Sequence, residues 1–300
     1  MSVSELAGQL YKNLYGPKKN DIILNISMNN NLQNRIAIAQ YYRAAYGTTL
    51  FDDIISKIGG DFGNCVAQMY LTPLEFCIHH LKKGFKKSNE CVFEMLTSKT
   101  PEEIKIIENA YRRDTGKELK ADITKTFSGN VGKNLLKLFE IPRSTNSKPN
   151  SKDCEKYAQI LIDNEPKNWT ENQDLFMEIF IQRSPEELIL IARYYLRNTG
   201  NNLLDIIEKK TKGKHQTLLK EILYNNIMPH ELYAEKIYYA IKGAGTDEEV
   251  LSRVLVARNE LDMALIREMY QFKYKNSLKE DIIGDTSGPY QKICMHLVEK

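Results

Sequence analysis

The stretch Ser184-PEELILIARYYLRNTGNN-Leu203 decides the fold, because it is one of four segments built in the same way. A helix-capping residue opens it, Pro follows at the first helical position, and Glu stands three residues after the cap. Apolar residues then recur at helical spacing, and Thr-Gly marks the end of the helix. The other copies are Asn31-LQNRIAIAQYYRAAYGTT-Leu50, Thr100-PEEIKIIENAYRRDTGKE-Leu119 and Asn259-ELDMALIREMYQFKYKNS-Leu278.

The four copies recur every roughly 70–80 residues, which is longer than a two-helix solenoid repeat and leaves room for about five helices per unit. No alternating strand pattern of useful length occurs, so we predict an all-α fold. The polar stretch 141–151, which contains two prolines, is predicted to be a linker between two pairs of repeats. The predicted division is repeat 1 at 1–70, repeat 2 at 71–140, the linker at 141–151, repeat 3 at 152–226 and repeat 4 at 227–300.

The fourth repeat gives the clearest helical pattern. Its central helix carries a predicted apolar face about one helix side wide, made of Leu261, Leu265, Ile266, Met269 and Tyr270. The five helices predicted for this repeat span Leu232–Ile241, Asp247–Ala257, Glu260–Tyr274, Ser277–Ile283 and Gly288–Val298.

Composition limits the class of protein. The 300 residues are 42% hydrophobic and 27% charged, which supports a sizeable core, and the formal net charge of +3 is too small to predict nucleic-acid binding. Five cysteines, an odd number without a CxxC pair, favour a reduced, cytosolic compartment over a disulfide framework. No stretch approaches the ~18 apolar residues of a membrane span, so any membrane association is expected at the surface.

The loop Ile241-Lys242-Gly243-Ala244-Gly245-Thr246-Asp247 carries the chemistry. Two glycines allow a tight loop to turn its carbonyl oxygens inward, and Asp285, in a later loop of the same repeat, can close the cage with a carboxylate. Oxygen ligands of this kind suit a hard cation, and Ca²⁺ is the first candidate. The alternative is structural: Thr246 and Glu249 form a capping-box pattern, and Asp285 caps the last helix.

The fourth unit resembles an annexin repeat almost throughout. The matching residues are Lys-Gly-Ala-Gly-Thr-Asp at 242–247, Arg258 before Glu260-Leu261-Asp262, and Gly284-Asp285-Thr286-Ser287-Gly288, and the spacing from Thr246 to Asp285 also agrees. The other units match in helical pattern and poorly in their loops, so the chain resembles a divergent annexin such as an α-giardin. The resemblance implies a slightly curved disc of four five-helix repeats that binds acidic phospholipid through Ca²⁺.

Carried onto this sequence, the resemblance implies that the backbone carbonyls of Ile241, Gly243 and Gly245 and both carboxylate oxygens of Asp285 hold the ion. These five oxygens leave positions for water or a lipid phosphate, since Ca²⁺ takes about six to eight ligands. A single carboxylate leaves the ion under-neutralised, so we expect weak affinity without lipid, on the order of 10⁻⁴–10⁻³ M.

The other three repeats lack this pattern. In repeat 2, Gly84 keeps the first glycine position, Lys86 replaces the second and Thr126 stands at the position of the acid. In repeat 1, Gly16 is followed by Pro17, Lys18 and Lys19, and the position of the acid falls on Lys57 with an ambiguity of one residue. Repeat 3 reads Pro166-Lys167-Asn168-Trp169-Thr170, and its acid position falls on Lys209 or Lys210.

Lysines at these places suggest direct contact with an anionic surface, where each contributes about 1 kcal/mol. The predicted contacts to membrane or anion are Lys83, Lys86, Lys87, Lys209, Lys210 and Lys242, with acidic glycans as an alternative anion and solvated lysines as the plainer interpretation. Trp169, the single tryptophan, either inserts at the lipid headgroups or packs across neighbouring helices.

Two other functions are possible for a helical repeat protein: an enzyme and a scaffold. No motif pairs a nucleophile with a base, and Cys77, His79 and His80 do not have a recognised metal-ligand spacing, so we predict a protein that is not an enzyme. A cytoskeleton-associated scaffold with little calcium dependence remains the alternative. The sequence favours a cytoplasmic, peripheral membrane protein that binds Ca²⁺ and acidic phospholipids, and it leaves the oligomeric state open.

Overall fold

The structure is a computed structural model that describes residues 1–17, 20–87 and 89–299, and this part of the chain contains α-helices and no strand. Each of the four repeats contributes five α-helices, here called A to E in chain order within a repeat. The first two repeats contain α1 (Val3–Tyr15), α2 (Asn20–Met28), α3 (Leu32–Tyr46), α4 (Leu50–Lys57), α5 (Gly60–Gln68), α6 (Pro73–Gly84), α7 (Asn89–Thr97), α8 (Pro101–Thr115), α9 (Leu119–Thr126) and α10 (Gly129–Lys137).

The third repeat departs from regular helix in its second element, where α12 continues as a π-helix over Phe176–Ile181. The last two repeats contain α11 (Ser151–Asp163), α12 (Gln173–Leu175), α13 (Pro185–Thr199), α14 (Leu203–Lys210), α15 (Gly213–Ile227), α16 (Pro229–Ile241), α17 (Glu248–Arg258), α18 (Met263–Tyr274), α19 (Leu278–Asp285) and α20 (Gly288–Glu299). The prediction of an all-α fold of four repeats is confirmed.

The capping signals lie where the sequence placed them. Thr100 and Ser184 both form complete capping boxes, in which the hydroxyl accepts from the backbone N–H of the Glu three residues on and that Glu accepts from the N–H of the cap. Gly116 and Gly200 end the same helices in the left-handed conformation, with φ of 71° for each. Lys275 occupies this position in the fourth repeat with φ of 64°, a conformation that is strained for a residue with a side chain.

One predicted apolar face is wrong in part. Helix α18 begins at Met263 instead of Glu260, because Asp262 ends a turn and stands at the N-cap position. Leu261 therefore lies in the turn and is 72% exposed, and Leu265 is 48% exposed on the outer side of the helix. The residues of α18 that enter the core are Met263, Ile266 and Tyr270.

The helices form two compact units, and their pairing differs from the one that the linker suggested. The first unit contains Met1–Phe76 and His230–Lys300, so repeats 1 and 4 share a core, and the second contains Cys77–Pro229, with repeats 2 and 3. In the first unit Arg35 is 1% exposed; its guanidinium donates to the carbonyl of Met69 at 2.9 Å and pairs with Glu260 at 2.9 Å. A buried charge needs such partners, so this contact fixes repeat 1 against repeat 4.

In the second unit the predicted linker is held by hydrogen bonds. The guanidinium of Arg143 donates to the carbonyl oxygens of Arg183 (2.5 Å) and Phe180 (2.7 Å), and the backbone N–H of Ser144 donates to the carbonyl oxygen of Gln182 (2.7 Å). Burial lowers the pKa of Arg143 to about 10, because the charged guanidinium is largely removed from water. The linker therefore anchors the turn before α13.

Candidate calcium site

The loop between α16 and α17 has the backbone that the two glycines predicted. Gly243 has φ of 119° and Gly245 has φ of 98°, both outside the region open to residues with a side chain. The loop is closed by a hydrogen bond from the backbone N–H of Asp247 to the carbonyl of Ala240, at 2.7 Å. Residues 242–245 are exposed. No hydrogen bond reaches the carbonyl oxygens of Ile241, Gly243 or Gly245 from any residue that the structure describes.

Asp285 is tied directly to this loop. It is the last residue of α19 and is partly exposed, and the hydroxyl of Thr246 donates to its carboxylate oxygen Oδ2 at 2.6 Å. The same hydroxyl lies 3.0 Å from the Asp285 carbonyl oxygen. The structure thus brings together the loop and the carboxylate, which are far apart in sequence.

The structural alternative for these residues is wrong in one respect. The cap of α17 is Asp247, whose carboxylate accepts from the backbone N–H of Val250 at 2.9 Å, so Thr246 does not act as the cap that the capping-box pattern suggested. Because Asp247 satisfies the helix end, the hydroxyl of Thr246 is available to hold Asp285. The capping-box spacing pointed to Thr246, one residue before the cap that the structure uses.

A surface depression of about 320 Å³ adjoins the loop. Three carboxylates and one lysine are among its lining residues, which gives it negative charge; the lining is Tyr238, Ile241, Lys242, Tyr270, Glu280, Asp281, Gly284 and Asp285. The ammonium of Lys242 lies 4.8 Å from the ring centroid of Tyr238, and a hydrogen bond with Tyr238 raises the pKa of Lys242. Lys242, predicted to contact an anion, is exposed in the loop, and its raised pKa keeps the ammonium charged.

The donor set fits a hard cation. Three free carbonyl oxygens and one carboxylate are oxygen ligands of the kind that Ca²⁺ prefers. Within the described ranges there is no group of three or more His, Cys, Asp or Glu side chains suited to a metal ion. A site built mainly from backbone carbonyls requires no such group.

A tyrosine of helix C fixes the position of helix D in three repeats. Tyr270 donates to Asp281 at 2.7 Å and Tyr111 donates to Asp122 at 2.6 Å; in the first repeat the same bond joins Tyr42 to Asp53, at 2.6 Å. Burial, together with this bond to a carboxylate, raises the pKa of each of these tyrosines, so the phenol remains a donor. The contact positions the helix whose last residue is the candidate ligand in the fourth repeat.

The length of helix D shows which residue of repeats 1 and 3 is equivalent to Asp285, a position that the sequence left uncertain. In every repeat it has eight residues and begins with leucine, so its last residue is structurally equivalent to Asp285. These residues are Lys57, Thr126 and Lys210 in repeats 1, 2 and 3. In repeat 1 the ammonium of Lys57 lies 4.7 Å from the ring centroid of Tyr15; Lys18 and Lys19 lie outside the described residues.

The second repeat cannot form the same loop. Gly84 is the last residue of helix α6 and is not among the residues with positive φ. A Cβ atom at this position would lie 2.8 Å from the side chain of Val92, so this glycine permits close packing of two helices. Lys86 and Lys87 follow it and are exposed, whereas Lys83 is half-buried. In the third repeat Lys209 and Lys210 are exposed at the end of α14.

Trp169 does not lie at the surface, so its predicted membrane contact is wrong. The side chain is 0% exposed, and its indole N–H lies 3.1 Å from the carbonyl of Asn164 and 3.3 Å from that of Leu161. Its ring packs against those of Phe180 and Tyr195, with centroids 6.0 and 6.1 Å away. The loop of repeat 3 thus closes over an aromatic core, which is the second of the two interpretations.

Fold and loop together define a protein of four five-helix repeats, one of which has a glycine loop that is hydrogen-bonded to a carboxylate. The annexin family model matches residues 77–138, 156–222 and 233–297. Annexin A5 of Mus musculus is 30% identical over 280 residues, covering 92% of this chain and 88% of the relative. The chain therefore belongs to the annexin family. Annexins bind acidic phospholipids in a calcium-dependent manner, and homologues are generally non-enzymatic.

Solved structures agree with this assignment. Chicken annexin V is 29% identical, with a TM-score of 0.90, and covers 100% of this chain and 96% of its own. Calcium-bound α-14 giardin has a TM-score of 0.82 and covers 99% of each chain, but at 15% identity it shows the fold alone. In the part of the chain that is described, no helix combines the length and apolar character needed to cross a bilayer.

Proposed function

We propose that this protein binds acidic phospholipid membranes peripherally and in a calcium-dependent manner, through the loop of the fourth repeat. The observation that supports the proposal is the hydrogen bond from Thr246 to Asp285, because it ties a carboxylate to the loop that carries the carbonyls of Ile241, Gly243 and Gly245. The family supports the same function at a coarser level, since annexins bind acidic phospholipids with calcium.

The charge balance of the site explains why lipid takes part. Asp285 supplies one negative charge, and the loop supplies only neutral carbonyls. Ca²⁺, when bound, carries a positive charge that these residues neutralise only in part, and it accepts a lipid phosphate oxygen as a further ligand. Binding of the ion and binding of the membrane therefore strengthen each other by the same factor, as linkage requires.

Lysine contributes a second, weaker attraction. The exposed ammonium of Lys242 lies beside the loop, where it can meet the same lipid phosphates. A single calcium loop gains little from multivalency, so we expect attachment to need high calcium or support from lysines. The five cysteines are buried thiols that form no disulfide with one another, in agreement with the proposed cytoplasmic location at the inner face of a membrane.

Cosedimentation with phosphatidylserine vesicles across a calcium titration tests the proposal, at low and at physiological salt. We expect the bound fraction to rise with calcium, and the Asp285→Asn variant to lose this rise. The salt series separates the two contributions, because lysine contacts are screened and the calcium site is affected less. Binding that is the same in EGTA and in calcium contradicts the proposal and favours a scaffold or a glycan-binding protein.

A further inference from the structure

The second repeat has a larger depression at the place where the fourth has its candidate calcium site. It is an open depression with a volume of about 610 Å³, within the range of small-molecule pockets. The lining comes from the end of α6 and the loop after it, the start of α7, the end of α8, the turn before α9 and α9 itself. We call it the repeat-2 pocket; its lining residues are Lys82, Phe85, Lys86, Lys87, Asn89, Tyr111, Asp114, Thr115, Lys117, Asp122, Lys125 and Thr126.

The repeat-2 pocket is strongly positive. Its lining contains five lysines against two aspartates, an excess of three positive charges. Both aspartates already have partners: Asp114 pairs with Lys82 at 2.7 Å, and Asp122 accepts from the phenol of Tyr111 at 2.6 Å. The remaining four lysines are exposed and form an ion pair with no carboxylate in the described part of the chain; they are Lys86, Lys87, Lys117 and Lys125.

Equivalent positions in repeats 2 and 4 carry side chains of different charge. Counted from the leucine that opens helix D, Lys125 stands where the fourth repeat has Gly284, and Thr126 stands where it has Asp285. Counted in the same way, Lys86 replaces the loop glycine Gly245. The fold keeps the depression and the tyrosine that holds helix D, while the groups suited to a cation are replaced by groups suited to an anion.

The walls of the pocket limit the shape of the ligand. The rings of Phe85 and Tyr111 meet edge to face, with centroids 6.0 Å apart, and form an apolar side. The lysines come from separate elements, since Lys86 follows α6, Lys117 precedes α9 and Lys125 lies near the end of α9. Groups placed in this way suit a compact ring with anionic substituents on more than one side.

We propose that the repeat-2 pocket binds a ligand with two or more phosphate groups on a small polar ring, such as a phosphorylated inositol, without calcium. A phosphate monoester carries about −1.5 to −2 charges, so two of them balance the excess charge of the pocket. Ammonium groups bind phosphate oxygens through charge-assisted hydrogen bonds, which are stronger than neutral ones. The ligand is either free or the headgroup of a membrane lipid.

Titration calorimetry with inositol trisphosphate in EGTA tests the pocket. We expect saturable binding at one site, and at least about tenfold weaker binding in the Lys86→Gln/Lys125→Gln variant, since the loss of even one charge-assisted bond weakens binding by about a factor of ten. The matched control is Lys105→Gln/Lys133→Gln, which removes two exposed lysines of the same repeat that do not line the pocket. The control should keep its affinity within about twofold, because its lysines lie outside the pocket lining. Since the loss of net charge is equal in both variants, a difference in affinity between them reflects the position of the lysines and not the overall charge.

Vesicles distinguish the two sources of the ligand. If it is a lipid headgroup, phosphatidylcholine vesicles with phosphatidylinositol bisphosphate sediment the protein in EGTA, and inositol trisphosphate competes. If it is a free compound, inositol trisphosphate binds and those vesicles do not. Either result supports the proposal, whereas no saturable binding to either probe, or an equal loss in both double variants, overturns it. The Asp285→Asn variant should bind inositol trisphosphate normally, so failure of the calcium site and failure of the pocket are separate outcomes.

Discussion

Replacing Asp285 by Asn removes the charge of the candidate calcium site and keeps its shape. The amide oxygen of Asn can still accept the hydrogen bond of Thr246, which is 2.6 Å long in the native protein. The stability without calcium should therefore change by no more than about 1 kcal/mol. The response to calcium should be lost, because the carboxylate is the single anionic ligand of the predicted set.

The size of the calcium response follows from mass action. With an affinity of about 1 mM, typical of a site with few anionic ligands, ~10 mM calcium stabilises the folded state by RT ln(1 + 10), about 1.4 kcal/mol. For a domain of this size, 1 kcal/mol corresponds to roughly 2–4 °C in melting temperature. We therefore expect calcium to raise the melting temperature of the native protein by about 3 °C and that of Asp285→Asn by less than about 1 °C.

Thermal melts followed by circular dichroism, in EGTA and in calcium, measure this difference. Glu268→Gln is the matched control, because Glu268 is an exposed carboxylate of α18, outside the loop and the depression. The control should show the full calcium response. If Asp285→Asn responds to calcium as the native protein does, the ion binds elsewhere and the assignment of this site is refuted.

Three further substitutions test neighbouring conclusions. Gly245→Ala forces a side-chain residue into φ of 98° with no atom within 4 Å of the new Cβ, so backbone strain alone should cost about 1–3 kcal/mol in urea unfolding and weaken the calcium response. Burial lowers the pKa of His79 to about 4, below its unfolded value of 6.5, so the unfolded chain binds more protons between these two pH values. Acidification from pH 7 to pH 5 should therefore lower the free energy of unfolding by about 2 kcal/mol. The His79→Gln variant should not show this loss in urea unfolding at the two pH values. Trp169→Phe should cost about 1–3 kcal/mol through the carbonyls it leaves unpaired, and native tryptophan emission should not shift with vesicles and calcium.

The loop and its carboxylate were predictable because each depends on local chemistry. Gly243 and Gly245 adopt positive φ at little cost, so the two glycines in the sequence predict the backbone conformation of the loop. Helix D has a fixed length in all four repeats, so the position of Asp285 follows by counting from Leu278. Capping boxes and left-handed glycines likewise act within a few residues of sequence.

Other features depend on packing and escaped the sequence pattern. The linker suggested that repeats 1 and 2 form a pair, yet the buried contact between Arg35 and Glu260 joins repeat 1 to repeat 4. A polar connection shows where the chain leaves a repeat, and it does not show which repeat shares the core. Trp169 is a similar case, because exposure of a loop aromatic depends on whether distant rings such as Phe180 leave room for it.

Replacing Thr126 by Asp should not create a second calcium site, although it restores the acid position of repeat 2. The carboxylate would lie at the end of α9, but the facing loop has no pair of glycines with positive φ, because Gly84 is helical and packs against Val92. Lys86 would also place an ammonium where the fourth repeat has a loop glycine. A new carboxylate in this positive pocket should instead weaken binding of inositol trisphosphate in EGTA. A second calcium-dependent rise in melting temperature, added to that of the native protein, would show that the carboxylate alone is sufficient and that loop conformation does not select the ion.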